Sequence, residues 1–241
     1  MEYYYITGPN RGIGRALVDR LLATKPEASV IGIGRTSAVE HPRYVHRQLD
    51  LTALPAVQAF RFASHTDASR IVLVNNAGAL TVKPIGSADP QALVGEYLVN
   101  LVAPALLMNT FLAAFLGMTI DRQVVNISSG AGQRPTDGWA TYCATKAGVD
   151  MLSRTVALEQ ELNKGGVRVL SISPGVADTD MQGVIRGTAA ADFSRVQEFV
   201  DFKQSGGLAS PESIAAKLCR VMDDPSLTPE VLVSLRTIPE S

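Results

Sequence analysis

Residues 124–150 read VVNISSGAGQRPTDGWATYCATKAGVD, and the organisation of the whole chain follows from this stretch. It begins as a β-branched run typical of a strand, passes through a loop rich in Gly, Pro and Asp, and continues with a helical pattern. Tyr142 and Lys146 are four residues apart, so a helix places them on one face. An ammonium group beside a phenol lowers the phenol pKa from about 10 toward neutrality. The pattern therefore predicts a tyrosine that exchanges a proton with a substrate oxygen.

Ser129 lies at the predicted end of the strand, where its hydroxyl group can stabilise charge on the same substrate oxygen. Each feature also has an ordinary explanation. A Tyr–Lys pair often lies on a solvated helix face, and serines often follow strands in turns. The chemical interpretation therefore depends on the other motifs of the chain.

The composition is that of a globular protein with one large core. The chain has 241 residues, of which 46% are hydrophobic. A net charge of −1 argues against nucleic acid as the main partner, because no basic excess neutralises phosphates. Two cysteines without a CxxC spacing predict a cytoplasmic location, and the spacing of His41, His46 and His65 predicts no metal site. Only Met1 and Glu2 precede the first predicted strand, so no signal peptide is expected.

The segment Leu98 to Ile120 is long and apolar enough to suggest a membrane span. Neither end has basic flanks or an aromatic belt. The segment also contains the polar or helix-breaking residues Asn100, Pro104, Asn109 and Thr110. We therefore expect a buried core or interface helix and no membrane partner.

A glycine-rich turn follows the first predicted strand, Tyr3–Thr7. The sequence Gly8-Pro9-Asn10-Arg11-Gly12-Ile13-Gly14 then leads into a helix with apolar residues at helical spacing. A strand, a glycine turn and a helix in this order let a pyrophosphate approach the backbone at the helix N-terminus. The spacing G-x-x-x-G-x-G is a variant of the usual fingerprint, and an ordinary turn is the alternative.

The end of the second predicted strand, Val30–Gly34, indicates which dinucleotide is bound. NAD-binding folds usually place an acidic residue here for the ribose 2′-hydroxyl, whereas an arginine suits a 2′-phosphate. This chain has Arg35 and Thr36 there and no acid, and Arg11 in the glycine turn is a second candidate. Arginine binds phosphate with paired hydrogen bonds, so we expect NADPH, although either arginine alone could be an ordinary solvated charge.

Strand and helix patterns alternate through the rest of the chain, with continuous apolar strands at Ile71–Val74 and Val167–Ile172. A helix is expected at about 55–64. The alternation predicts an α/β fold, a single-domain Rossmann-type doubly wound parallel sheet with helices on both faces. The domain covers residues 1–241, with a cofactor half at about 1–127 and a catalytic and substrate half at about 128–241. Residues 176–207 lack a clear pattern, which predicts a long loop that forms a binding lid or a disordered insertion.

Five motifs occur in one order: Thr7-Gly8-x-x-x-Gly12-Ile13-Gly14, Asn75-Asn76-Ala77-Gly78, Ser129, Tyr142-x-x-x-Lys146 and Pro174-Gly175-x-x-x-Thr179. In this order and spacing the chain closely resembles the short-chain dehydrogenase/reductase family over nearly its whole length. The resemblance implies that Ser129 polarises the substrate carbonyl and that Tyr142 donates the proton. It implies that Lys146 lowers the tyrosine pKa and holds the nicotinamide ribose.

The resemblance also implies roles outside this set. Asn100 matches the family's helix asparagine that supports a water chain behind the lysine, and a helix-kinking polar residue is the alternative. The implied cofactor-binding residues are Gly8, Asn10, Arg11, Gly12, Ile13, Gly14, Arg35, Thr36, Asp50, Leu51, Asn76, Ala77, Gly78, Tyr142, Lys146, Pro174, Gly175, Val176 and Thr179.

Three further segments of the chain narrow the resemblance to one branch of the family. They are Gly138-Trp139 before Tyr142-Cys143, Lys146-Ala147-Gly148-x-Asp150-Met151-Leu152, and Pro174-Gly175-x-x-Asp178-Thr179-x-Met181-Gln182. They are similar to the sepiapterin reductase and benzil reductase branch of the family. The branch implies an NADPH-dependent carbonyl reductase acting on a ketone or vicinal dicarbonyl. Sepiapterin is the alternative substrate, but its carboxylate anchor near the C-terminus would here be Glu240. A non-enzymatic NADP(H)-binding sensor is an alternative of another class, and the intact Ser/Tyr/Lys set argues against it.

Substrate contacts are expected from Ser129, Trp139, Tyr142, Met181, Phe193 and Phe199, and simple packing is the alternative for each apolar one. The family often pairs the Leu98–Leu116 helix and the Tyr142 helix with symmetry mates. This mode of pairing implies a homodimer or homotetramer, although burial inside one subunit explains the same apolar faces.

Overall fold

The computed structural model describes residues 1–239, which fold around one sheet of parallel strands. The strands are β1 (Glu2–Thr7), β2 (Ala28–Gly34), β3 (Tyr44–Gln48), β4 (Arg70–Asn75), β5 (Asp121–Ile127), β6 (Val167–Ser173) and β7 (Leu232–Ser234). Their order across the sheet is β3-β2-β1-β4-β5-β6-β7.

Helices cover both faces of this sheet. Within residues 1–239 they are α1 (Gly12–Thr24), α2 (Leu54–Ala59), α3 (Pro90–Tyr97), α4 (Ala103–Ala114), α5 (Ala140–Leu162), α6 (Asp180–Arg186), α7 (Val196–Gln204) and α8 (Pro211–Asp223). Tyr4 packs in one core with Leu17 of α1 and Leu218 of α8. The next residue, Tyr5, packs in the opposite core with Phe111 of α4. Alternate strand residues therefore face opposite helix layers, which confirms the predicted doubly wound α/β fold.

The strands β1, β2 and β3 follow one another toward one edge of the sheet, and β4 then pairs with the other side of β1. The direction of strand addition therefore reverses between β3 and β4. This reversal leaves a crevice at the carboxyl ends of β1 and β4. Ligands bind at such a switch point in open parallel sheets, so the fold alone directs attention to the loops after these two strands.

Two segments differ from their predicted structure. Residues 176–207 contain the helices α6 and α7, because helical turns satisfy the backbone of a segment that buries Phe193 and Phe199. The helix expected at 55–64 ends at Ala59. The chain becomes extended at Phe60, with φ −62° and ψ 137°, and buries alternate residues as a strand does.

The apolar segment expected at Leu98–Ile120 belongs to a continuous helical run, Pro90–Ala114, in which a π-helical turn at Leu98–Val102 joins α3 to α4. By length and composition alone this run could cross a membrane. In the fold 33% of its most apolar stretch is buried, with Leu107 and Phe111 packed against the sheet, so one face of the run lies in the core.

Candidate active site

The glycine turn between β1 and α1 forms a cradle of bare backbone. Gly8 and Gly12 have φ values of +67° and +54°, in the left-handed region that favours glycine. A Cβ added at Gly14 would lie 2.1 Å from the carbonyl oxygen of Gly8. The Arg11 side chain makes no capping hydrogen bond at the N-terminus of α1, so it leaves the first backbone N–H groups open to a ligand. These features fit the pyrophosphate of a dinucleotide.

Thr7 and Asn76 lock the ends of β1 and β4 together beside this cradle. The hydroxyl oxygen of Thr7 accepts hydrogen bonds from the backbone N–H groups of Asn76 and Ala77, both at 2.9 Å. Asn76 Nδ2 donates in return to the carbonyl oxygen of Thr7 at 2.9 Å. The predicted Asn76–Gly78 motif therefore fixes the floor of the crevice.

The end of β2 carries the residues predicted to select the cofactor. Asn10 Nδ2 donates to the carbonyl oxygen of Thr36 at 2.5 Å and so ties the glycine turn to this strand end. Arg35 is exposed there. Arg11 is also exposed, and its Nη1 lies 3.3 Å from Oδ2 of Asp180 in α6. Both guanidinium groups are therefore accessible beside the cradle.

The other predicted cofactor residues follow the carboxyl ends of β3 and β6 or lie on α5. Asp50 Oδ1 accepts from the backbone N–H of Thr52 at 2.9 Å, which fixes the turn after β3. Gly175, after β6, has a φ of +85°. Thr179 lies against the glycine turn, because a Cβ on Gly12 would be 3.1 Å from its Cγ2. The fold thus gathers the predicted set along one edge of the sheet.

Ser129, Tyr142 and Lys146 come together where β5 ends against α5. Lys146 Nζ donates to the carbonyl oxygen of Ile127 at 2.8 Å and lies 5.4 Å from the centre of the Tyr142 ring. Ser129 Oγ accepts from the backbone N–H of Ala131 at 3.2 Å, so its own proton can be donated to the phenol oxygen of Tyr142 or to a substrate oxygen. Tyr142 and Lys146 are 7% and 4% exposed, so the pair lies in a dry environment.

The pKa values at this site differ from the prediction made from spacing. Burial raises the pKa of Tyr142 to about 12, and the Ser129 hydrogen bond acts in the opposite direction. Burial lowers the pKa of Lys146 to about 8, and the carboxylates of Asp150 and Glu96 oppose this change. The predicted fall of the phenol pKa toward neutrality is therefore wrong here, because desolvation disfavours the charged form of each group. The phenol keeps its proton at ordinary pH, as a proton donor must.

Asn100 lies on the π-helical turn and holds the segment that follows β4. Its Oδ1 accepts from the backbone N–H of Ala79, and its Nδ2 donates to the carbonyl oxygen of Ala79, both at 2.8 Å. Nδ2 also lies 3.3 Å from Oγ1 of Thr145, the residue before Lys146. A π-helical turn is often found at a functional site, and here it coincides with the polar residue. The water-relay role stays a prediction.

Glu96 is a buried acidic residue that the sequence analysis did not single out. It lies four residues before Asn100, is 1% exposed, and accepts from the backbone N–H of Thr81 through Oε2 at 3.0 Å. A carboxylate inside an apolar helical pattern, in register with Asn100, is the sequence signal that could have found it.

An aromatic cluster forms the wall beside Tyr142. Trp139 packs edge-on against the Tyr142 ring, with centroids 5.7 Å apart, and contacts Phe193 and Phe199 at 5.3 and 5.6 Å. Met181 packs at the edge of the same cluster. The structure thus brings together the apolar residues predicted to contact substrate.

Polar contacts hold residues 176–207 over this cluster. Lys83 Nζ lies 2.6 Å from Oδ2 of Asp192, and Asp137 Oδ2 accepts from the backbone N–H of Ser194 at 2.7 Å. Val82, next to Lys83, is buried in the cluster and was not predicted. The segment after β4 therefore supplies one wall of the cluster and is also tied to residues 176–207.

A doubly wound sheet with a glycine cradle and a buried Tyr/Lys pair beside a serine defines a class of nicotinamide-dependent oxidoreductase. Residues 2–190 match the family described as short chain dehydrogenase, and the chain belongs to this family. It is an enzyme that acts on a carbonyl or alcohol group with a nicotinamide cofactor. This assignment replaces the alternative of a non-enzymatic sensor.

Its relatives include a Bacillus subtilis benzil reductase ((S)-benzoin forming), 39% identical over 92% of this chain and 94% of the relative. A Xenopus tropicalis sepiapterin reductase is 30% identical over 90% of each chain. A Saccharomyces cerevisiae short-chain dehydrogenase/reductase structure superposes with a TM-score of 0.86 at 23% identity, covering 100% of this chain and 98% of that one. The predicted branch and the predicted carbonyl reductase class are confirmed.

Proposed function

We propose that this protein reduces a ketone, or one carbonyl of a vicinal dicarbonyl, with NADPH as the hydride donor and Tyr142 as the proton donor. The observation that carries the proposal is the burial of Tyr142 and Lys146 beside Ser129, against an aromatic wall. A protonated phenol in a dry pocket suits proton donation to an oxygen that gains negative charge.

The nicotinamide, when bound, supplies the hydride to the carbonyl carbon. Ser129 donates a hydrogen bond to the carbonyl oxygen and stabilises the charge that develops there. Tyr142 Oη then donates its proton to this oxygen. The transfer is favourable even with a phenol pKa of about 12, because an alkoxide is a stronger base than a phenolate. Lys146 stabilises the phenolate, holds the nicotinamide ribose and, through the water chain assigned to Asn100, allows the proton to be replaced.

The aromatic wall favours a dicarbonyl with apolar substituents over a pterin. Two relatives named benzil reductase are 39% and 34% identical to this chain, whereas the sepiapterin reductase relative is 30% identical. The pterin anchor considered from the sequence, Glu240, lies outside the described residues. We expect kcat/KM to be higher for benzil than for an aliphatic diketone or for sepiapterin, measured as NADPH consumption. A preference for sepiapterin would assign the pterin to this site, and no turnover of any carbonyl would reject the proposal.

NADPH is proposed over NADH because Arg35 and Arg11 lie exposed beside the cradle, with no acid at the end of β2. Arg35→Asp should lower kcat/KM for NADPH by about tenfold or more, since a charge-assisted phosphate contact contributes about 1.5–3 kcal/mol. The same change should improve or preserve the use of NADH, because an acid suits the 2′-hydroxyl. Initial rates at matched NADPH and NADH concentrations measure the ratio.

The matched control is Arg154→Asp, which makes the same charge change at an exposed position of α5. We expect it to leave the cofactor ratio unchanged. An enzyme that uses both dinucleotides equally well, or an Arg35→Asp variant with the original preference, would contradict the assignment of the 2′-phosphate site.

We also propose a homodimer or homotetramer in the cytoplasm. Val94 and Tyr97 of α3 and Met151, Leu158 and Leu162 of α5 are exposed apolar residues, between 41% and 73% accessible. Exposed apolar surface on two adjacent helices suits a two-fold interface. Light scattering should give the mass of two or four chains, and a monomer mass would contradict this proposal.

A further inference from the structure

Glu96 has an environment that a purely structural residue would not require. Its Oε2 accepts from the backbone N–H of Thr81 at 3.0 Å, but its Oε1 is buried and has no hydrogen-bond partner among residues 1–239. A neutral amide would hold this N–H group equally well, as Asn100 does at Ala79 one helical turn later. Burying a carboxylate with an unpaired oxygen costs folding free energy.

The groups that face Glu96 are those of the reaction. From α5, the ammonium of Lys146 and the phenol of Tyr142 both interact electrostatically with the Glu96 carboxylate. From the segment after β4, the facing groups are the backbone N–H and the side-chain hydroxyl of Thr81. Asp150 also acts on Lys146, from one turn further along α5, and its Oδ1 is 2.6 Å from the hydroxyl oxygen of Ser171. The helix α3 packs against α5, and Glu96 is buried on α3. Glu96 is therefore the carboxylate that α3 contributes to the surroundings of Lys146 and Tyr142.

We propose that Glu96 is a positioning residue that keeps the protons on Tyr142 and Lys146, and that it thereby sets the upper pH limit of carbonyl reduction. The inference rests on the proposed function, in which Tyr142 must be protonated to act. A buried charge beside a catalytic pair is a common means of adjusting the pH range of an enzyme.

The direction of the effect follows from the charges. Burial lowers the pKa of Lys146, and the resulting value of about 8 already includes the opposing effect of the Asp150 and Glu96 carboxylates. The negative charge of Glu96 raises the pKa of Lys146 and also that of Tyr142. Without that charge both groups lose their protons at lower pH. As the pH is raised, carbonyl reduction therefore fails at a lower pH than in the wild-type protein. Oxidation of the product alcohol, which requires the phenolate, likewise begins at a lower pH.

The hydrogen bond to Thr81 gives Glu96 a second consequence. Glu96 and Asn100 together hold the backbone of residues 79–81, and Val82 follows directly in the wall of the aromatic cluster. A variant that loses the acceptor should therefore also disturb the substrate pocket. The two consequences can be separated by choosing the substituent.

Glu96→Gln keeps the size of the side chain and an oxygen that accepts from Thr81, and removes only the charge. The basic limb of kcat/KM for benzil reduction should move to lower pH by up to about one unit, with KM below that limb unchanged. The control is Glu161→Gln, the same change at an exposed residue near the end of α5, which should leave the profile in place. Glu96→Ala should show the same shift and also a higher KM. A raised KM in Glu96→Ala with unmoved profiles in both variants would mean a purely structural role and would overturn the proposal.

A binding measurement separates this proposal from the proposed function. Trp139 is the single tryptophan of the chain and lies beside Tyr142, so its fluorescence reports NADPH binding without turnover. As the pH is raised, NADPH affinity should begin to fall at a lower pH in Glu96→Gln than in the wild-type protein, because Lys146 loses its proton at a lower pH in the variant. If the wild-type protein binds NADPH but reduces no carbonyl, the proposed function fails and the binding curves still decide the role of Glu96. Identical plots of NADPH affinity against pH for the wild-type protein and Glu96→Gln would overturn the proposed role of Glu96.

Discussion

Tyr142→Phe should lower kcat for carbonyl reduction by about 100- to 10,000-fold, the contribution that a positioned general acid makes. The substitution removes only the hydroxyl group and leaves the ring, which packs edge-on against Trp139 at 5.7 Å, in place. The hydride donor remains bound, but the alkoxide that forms has no proton source in a site where Tyr142 is 7% exposed. NADPH consumption with benzil measures the loss.

The binding constant for NADPH and the melting temperature should stay close to their wild-type values, which would separate loss of the acid from loss of the fold. Tyr3→Phe is the matched control, since it removes the hydroxyl group of a tyrosine near the start of β1, which donates to Oδ1 of Asp67 at 2.9 Å. It should keep full activity. A Tyr142→Phe enzyme that retains most of its turnover would show that another group, or water, protonates the product, and the mechanism would need a different acid.

The parts of the fold that sequence patterns predicted are those with one dominant physical signal. The strand β4 is a continuous apolar run because both faces of the sheet are covered by helices, and its burial along the full length agrees with that reasoning. The helix α5 was predicted from the helical pattern that follows the loop, and its observed range of Ala140–Leu162 contains Tyr142 and Lys146. The glycine turn was predicted from its place between a strand and a helix.

The sequence could not predict properties that depend on what surrounds a side chain in three dimensions. The spacing of Tyr142 and Lys146 predicts that the ammonium group lowers the pKa of the phenol. Burial of Tyr142 has the larger effect and raises this pKa. Residues 176–207 show no helical periodicity, and their helices form because the segment buries Phe193 and Phe199 against Trp139. Glu96 was missed because only the packing of α3 against α5 brings its carboxylate to the catalytic pair.

Gly14→Ala should destabilise the protein by about 1–3 kcal/mol and reduce NADPH affinity by about tenfold or more, because the added methyl group overpacks the cradle. The new Cβ would lie 2.1 Å from the carbonyl oxygen of Gly8 and 2.4 Å from Nδ2 of Asn76. The first contact is with backbone, which cannot rotate away as a flexible side chain could. Relief requires α1 to move off β1, and that movement displaces the N–H groups proposed to bind the pyrophosphate. Thermal unfolding and a fluorescence titration with NADPH measure the two effects.

Gly95→Ala is the matched control, because it adds the same methyl group to another helical glycine, in α3, where nothing lies within 4 Å of the new Cβ. Alanine is the better helix former, so this variant should be more stable than wild type by about 0.5–1 kcal/mol, with NADPH affinity unchanged. If Gly14→Ala lowers the free energy of unfolding and Gly95→Ala raises it, the loss in Gly14→Ala comes from overpacking in the cradle and not from helix propensity. If Gly14→Ala binds NADPH as tightly as wild type, the pyrophosphate does not lie on the N-terminus of α1, and the cofactor must approach the sheet edge from another direction.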